Sequence, residues 1–258
     1  MDPAHSTKRF STRVEFYLRA RPKYPPALLH FFQKELNLTP AQPIADIGSG
    51  TGFLTELFLR NGNPVFAVEP NPEMRSAAET YLADFPNFHS ISATAEATTL
   101  PPASVDFVVA GQAFHWFDPI ATRKEFLRIL KPAGTVALIW NERRLQNSPF
   151  ANAYDVLIKN FQTDAKVVKA RSLVGTDRTI LNAFFAPATC QQRRFDNPQL
   201  LDRQGLIDRI FSSSYMPLPG SQRHAELLQA INAVFDAHQD NGVVTMPHDT
   251  EVFFGQLS

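Results

Sequence analysis

Asp46, Gly48, Gly50 and Gly52 stand at alternate positions at the end of a short apolar run, Ile44 to Ile47. Glycines at this density let the backbone take positive φ and let a ligand approach main-chain atoms closely. A strand must end and a helix must begin within a few residues. Such a turn presents a small molecule at the carboxyl end of a parallel strand, where open α/β sheets bind ligands. The spacing narrows the ligand. A dinucleotide fingerprint reads G-x-G-x-x-G and seats a pyrophosphate on a helix N-terminus. Here the third glycine comes one residue early, Phe53 follows it, and Asp46 precedes the first glycine by two positions. A carboxylate is a poor neighbour for pyrophosphate and a good one for an ammonium or a sulfonium. Glu69 lies 19 residues beyond Gly50 at the end of a second apolar run, and one carboxylate can accept two hydrogen bonds at once.

Alternating elements must position these groups. Ile44–Ile47 is a buried-strand run, and Thr51–Asn61 has helical spacing that Gly62 ends. Val65–Val68 is the second strand. Asn71 suits an N-cap and Pro72 a first helical turn, so a helix is predicted to about Ala83. Phe88–Ala93 and Val105–Ala110 read as strands, Asp118–Leu130 as a helix, residues 131–134 as a turn, and Thr135–Trp140 as a fifth strand. Strands alternating with helices of this length imply a doubly wound, mostly parallel sheet. Beyond residue 140, Pro149–Phe161, Gln199–Phe211 and Ser221–Asp240 read as helices. Thr189–Phe195, Val243–Met246 and Glu251–Phe254 read as strands, and residues 163–187 are ambiguous.

Bulk properties exclude several classes. Lys+Arg and Asp+Glu both number 25, so a neutral chain offers no general footprint for nucleic acid. Arg193 and Arg194 read as a solvated pair. Cys190 has no disulfide partner, no Cys/His cluster has metal spacing, and no apolar run approaches a membrane span. The N-terminus lacks a signal-peptide core. A cytoplasmic protein without a metal or membrane partner is expected. The 22 phenylalanines suit either a core or a lid over a ligand.

Asp46 with the three glycines resembles motif I of class I S-adenosylmethionine-dependent methyltransferases. Further segments agree. Gly111 to Asp118, containing A-F-H-W-F-D, resembles the region after strand four in the methyltransferase type 11 family, in its trans-aconitate-methyltransferase-like subgroup. Leu130 to Gly134 is similar to the L-K-P-G-G turn, with Ala133 replacing one glycine. Arg21 to Pro25 resembles the R-P-x-Y-P element of that subgroup, and Ser213–Tyr215 and Met246–Val252 resemble its later segments less specifically.

The resemblance implies a seven-stranded Rossmann-like sheet with a partly helical cap. It implies one domain over 1–258: lid helices to 40, a cofactor-binding core over 41–145, a cap and substrate region over 146–242, and terminal strand segments over 243–258. The implied cofactor is S-adenosyl-L-methionine, contacted by Asp46, Gly48, Ser49, Gly50, Gly52, Glu69, Pro70, Ala95, Glu96, Gln112 and Trp116. Glu69 would bind the ribose hydroxyls, and Ala95 and Glu96 would lie near the adenine. Asp106, in Val105-Asp106-Phe107, would be structural. The implied partner is a small-molecule methyl acceptor. His115 is the candidate general base, although a carboxylate acceptor, ionised at neutral pH, needs none. Tyr17 and Arg21 belong to a candidate lid. Arg143 or Arg144, at the ligand edge of the sheet, suits an acidic acceptor through a bidentate contact. The alternatives are a non-catalytic binder of the same cofactor and a nicotinamide oxidoreductase, which the glycine spacing disfavours. A macromolecular methyltransferase is the third alternative; neutral charge disfavours nucleic acid, and the Asn/Asp-Pro-Pro-Tyr/Phe motif that many amino-directed enzymes carry after strand four is missing.

Overall fold

The computed structural model describes residues 20–144, 148–163, 178–213, 215–217, 220–221 and 223–257. Tyr17 and the helical stretch expected around it lie outside the described residues. A central sheet is built from β1 (Ile44–Ile47), β2 (Val65–Val68), β3 (Phe88–Ile91), β4 (Val105–Gly111), β5 (Leu130–Arg143), β6 (Gln191–Asp196) and β9 (His248–Gln256). Its order is β3-β2-β1-β4-β5-β9-β6. Every pair from β3 to β5 is parallel, and β9 runs antiparallel to both β5 and β6. The expected doubly wound, mostly parallel seven-stranded sheet is present.

The helices start where local chemistry says they should. In α3 (Pro72–Tyr81) the Asn71 side chain accepts from the Met74 N–H, with Pro72 in the first turn. In α4 (Pro119–Ile129) Asp118 caps the amides of Ile120 and Ala121. In α5 (Pro149–Phe161) Ser148 accepts from Ala151 N–H. Removing such a cap costs about 1 kcal/mol. Helix α1 (Pro26–Glu35) and α2 (Phe53–Arg60) cover one face of the sheet. Helix α4 and α6 (Arg178–Phe185) cover the other.

Phenylalanine supplies much of both layers. Phe32 is fully buried and meets Phe31, Phe58 and Phe107 edge-on at 5.5, 5.0 and 5.8 Å. Phe184 packs on Phe114 at 4.8 Å. Truncating such a ring to Ala typically removes 3–5 kcal/mol, so these rings are core.

A third cluster joins α5, α7 (Arg203–Phe211), α8 (His224–His238) and the two-stranded sheet of β7 (Gln199–Leu201) with β8 (Val244–Met246). Three expectations are corrected here. Gln199–Leu201 is strand, because Asp202 starts the helix later by accepting from Gly205 N–H at 2.7 Å. Residues 131–134 lie within β5 as a bulge. Its pairing jumps from Leu130 to Thr135, and Ala133 takes φ +64°. Cys190 is half-buried and just precedes β6. The ambiguous stretch after 163 contains α6. Arg193 pairs with Glu35, and Arg194 with Glu251. Asp106 is held by Lys131 at 2.7 Å. No helix among the described residues is long and apolar enough to cross a membrane.

Candidate functional site

The three glycines of the turn after β1 do different work. Gly48 N–H donates to the Val68 carbonyl at 2.8 Å, and a Cβ there would come within 2.6 Å of Ala113 Cβ. A Cβ on Gly52 would come within 2.6 Å of Leu82 Cδ1. Both positions are bare so that protein can pack on them. At Gly50, with φ +57°, a Cβ would meet nothing within 4 Å. That glycine alone faces open space.

Two buried carboxylates hold this turn. Glu69 Oε2 accepts from Gly50 N–H at 2.9 Å, and Oε1 accepts from Asn71 N–H at 2.8 Å. Burial raises its carboxyl pKa above the ordinary value, opposed by those two amides and by Arg75. Each oxygen retains a lone pair for a further donor. Asp46 is fully buried, and its Oδ2 accepts from Thr55 Oγ1 at 2.6 Å. Its Oδ1 has no partner among the described residues. Burial pushes this carboxyl up to about 7, against the Thr55 hydrogen bond and with added repulsion from Glu69.

A cleft of about 620 Å³ opens beside Gly50. It is lined by Gly48–Thr51, by Gly111 at the end of β4, and by Gln112 and His115 after it. Trp140–Arg143 form the β5 wall, and Tyr154, Asp155 and Lys159 of α5 with Arg209 of α7 and Tyr215 form the roof. Gln112 takes φ +58° and donates through Nε2 to the Asn141 carbonyl at 3.0 Å. The His115 ring lies 4.8 Å from that of Trp116. Arg143 stacks its guanidinium 4.9 Å from the Tyr154 ring centre.

Residues 20–24 strap the mouth. The carbonyls of Ala20, Pro22 and Lys23 accept from Gln199, Asn141 and Asn197 at 2.7, 3.3 and 2.9 Å. Lys23 Nζ reaches Glu56 at 3.1 Å and Tyr81 at 2.7 Å. Arg21 Nη2 donates to the Ser212 carbonyl at 3.2 Å, tying strap to cap. Tyr24 fills the space over Gly111, where a Cβ would come within 2.2 Å of its hydroxyl.

Several expected site residues converge here and others do not. Asp46, Gly48, Ser49, Gly50, Gln112, His115, Arg21 and Arg143 line the cleft. Gly52, Glu69, Pro70, Ala95, Glu96 and Trp116 do not. The Glu96 carboxylate accepts from Asp118 N–H at 3.0 Å at the start of α4. Pro70 is exposed and Ala95 buried. Arg144 turns away to pair with Asp196 and Asp249. Tyr24, Tyr154, Lys159 and Arg209 were missed. Only Tyr24 had a sequence signal, inside Arg21–Pro25; Arg209 reads as an ordinary helical charge.

A methyltransferase-domain family model matches residues 45–138. An uncharacterized methyltransferase of Mycobacterium bovis is 31% identical over 229 residues, 89% of this chain and 86% of that protein. The chain belongs to the methyltransferase family. A second relative, an uncharacterized methyltransferase of Schizosaccharomyces pombe, is 36% identical over 53% of each chain. A solved methyltransferase structure from Anaeromyxobacter dehalogenans aligns with TM-score 0.65 and 22% identity, covering 92% of this chain and 97% of that one. This fold is shared with a methyltransferase structure from Anabaena variabilis at TM-score 0.58 and 20% identity, covering 91% of this chain and 98% of that one. The enzyme is a class I S-adenosylmethionine-dependent methyltransferase, and S-adenosyl-L-methionine is its cofactor. The residues present fit that cofactor. Gly50 leaves a cradle that a Cβ would enter, and Asp46 Oδ1 is a buried acceptor without a donor among the described residues.

Proposed function

We propose that this methyltransferase transfers the methyl group to a small-molecule carboxylic acid lying between the glycine turn and the arginine wall. The observation that carries this reading is one 620 Å³ cleft whose lining includes bare Gly50 together with Arg21 and Arg143. The cofactor supplies an electrophilic methyl on a sulfonium that is neutralised on transfer. Glu69, already oriented by Gly50 and Asn71, uses its remaining lone pairs for the ribose hydroxyls. Pro70, Ala95, Glu96 and Trp116 border the adenine end, and Gln112 lies beside the reacting end. Asp46 faces the ammonium. Arg21 and Arg143, with Tyr17, hold the acceptor.

A carboxylate arrives ionised at neutral pH, so no base is needed and rate comes from alignment and exclusion of water. His115 serves as general base where the acceptor is a hydroxyl. The acidic-acceptor reading agrees with the trans-aconitate-like resemblance of Arg21–Pro25 and Gln112–Asp118. A tritiated-methyl screen of small carboxylic acids, hydroxyl compounds and amines tests it. Labelled methyl ester is expected from the acids, and label confined to hydroxyl or amine acceptors would overturn the carboxylate assignment.

Asp46 predicts a pH dependence of cofactor binding. Its folded-state carboxyl titrates near 7, and only the ionised form attracts a cation. Affinity for S-adenosylhomocysteine, whose amino group stays protonated over this range, should rise severalfold between pH 6 and 8. Asp46→Asn should bind more weakly and lose the slope. Calorimetry across that range decides it, and a wild-type slope in Asp46→Asn would free Asp46 of this role.

A further inference from the structure

Residues 20–24 join the two halves of the cleft. The half that carries the glycine turn holds them through Lys23. Its Nζ reaches Glu56 of α2 and Tyr81 of α3, and lies 5.6 and 5.3 Å from the ring centres of Phe53 and Tyr81. Tyr81 also donates to Glu56, and Arg60 pairs with the same carboxylate at 2.7 Å. The opposite half holds the strap by three side-chain amides. Gln199 of β7, Asn141 of β5 and Asn197, in the turn between β6 and β7, donate to the strap carbonyls. Asn197 also reaches Asn141 Oδ1 and Thr250 Oγ1 at 3.2 and 3.1 Å. The Asn141 main-chain carbonyl accepts in turn from Gln112, which lines the cleft.

Arg21, Pro22 and Tyr24 of the strap line the cleft, whereas Lys23 and Asn197 do not. Residues 21–24 lie outside helix and strand. The sheet beneath is harder to move. Ile44–Ile47, Val108–Ala110 and Val136–Ile139 are fully buried and paired in one parallel ladder. Opening the cleft there means unpacking the core. Opening it at the strap means releasing side-chain hydrogen bonds and one ion pair whose lysine is 59% exposed, a kind of pair that contributes little. Local opening follows the least stable segment. Such openings set the rate of product release in many enzymes.

We propose that the strap is the gate through which S-adenosylmethionine enters and S-adenosylhomocysteine leaves, with Lys23 and Asn197 as its two latches. The gate lifts from the glycine-turn half and the cap half while the sheet stays intact. Both latches sit outside the cleft, so weakening them frees the gate without removing a lining residue. Glu56 keeps Arg60 and Tyr81 when Lys23 is changed, so its buried carboxylate stays paired. The inference rests on the reading of the cleft as the cofactor site. It concerns passage, not affinity or the choice of acceptor.

Stopped-flow tryptophan fluorescence, with Trp140 in the cleft lining, follows the binding and chase of S-adenosylhomocysteine. Lys23→Met and Asn197→Ala should each raise the association and dissociation rates together by about tenfold, with the dissociation constant changed by no more than about threefold. A trypsin pulse on saturated protein gives a second readout. The Lys23-Tyr24 bond is a trypsin site, whereas Pro22 protects Arg21. Asn197→Ala should speed cleavage at Lys23-Tyr24, read by mass spectrometry, by about tenfold. Should Lys23→Met fail to fold, Asn197→Ala carries both readouts. Wild-type rates in the folded variants, faster dissociation with unchanged association, or unaltered cleavage in Asn197→Ala overturns the gate. Gly50→Val tests the cleft separately. Wild-type affinity there removes the cofactor from the cleft, whereas lost affinity there with wild-type rates in the latch variants removes only the gate.

Discussion

Gly50→Val is expected to abolish binding of S-adenosylhomocysteine while leaving a folded protein. The valine Cβ would meet no protein atom within 4 Å, so its branches project into the cleft and not into the core. Strain is the main folding penalty. A β-branched residue at φ +57° costs about 1–3 kcal/mol, which lowers the melting temperature without eliminating the fold. Binding suffers more, because the side chain takes the space in which the ligand must approach the main chain. A loss beyond about 100-fold, roughly 2.8 kcal/mol, is expected by calorimetry. Gly50→Ala should fall between. Gly48→Ala is a contrasting case: its Cβ would strike Ala113, so it should destabilise the apo protein directly. Wild-type affinity in folded Gly50→Val would show that the glycine turn is not the cofactor pocket.

Glu69→Ala should reduce affinity by about tenfold to a few hundredfold. Hydrogen bonds to a charged group are each worth about 1.5–3 kcal/mol, and their losses do not add fully. The structure adds a second cause. The same carboxylate accepts the Gly50 and Asn71 amides, so its removal frees the turn that must meet the ligand. Melting temperature should therefore fall in the apo protein too. Glu69→Gln keeps an acceptor for one amide and should lose less stability than Glu69→Ala. If affinity is unchanged in Glu69→Ala, Glu69 does not belong to the site.

The first half of the chain was legible because its signals are local. Strand β2 is a continuous apolar run, and β1 and β4 are apolar but for Asp46 and Asp106, as suits strands covered on both faces. Asn71 with Pro72 and Asp118 with Pro119 place helix starts within a residue or two. Later elements carry weaker patterns. Gln199–Leu201 has apolar residues that fit a helix or a strand, and pairing with Val244–Met246 decides between them. Lys131–Gly134 reads as a stop signal, yet the ladder resumes beyond it, and the bulge is visible only against β4.

The sequence by itself determined the chemistry at the carboxyl end of β1: an acid, three bare backbone positions and a second acid after β2, all set by short-range spacing. It did not separate the glycines that accommodate packing from Gly50, which faces open space, because that depends on Ala113 and Leu82 arriving from other elements. Nor did it show that Glu69 braces the glycine turn. The tertiary structure alone brought Arg209 of α7, Arg143 of β5 and Arg21 of the strap to the lining of one cleft. Their separations in sequence carry no common period. Only the antiparallel return of β9 beside β5 and the folding of the cap over the sheet put those charges in one cavity, where burial gives them effect.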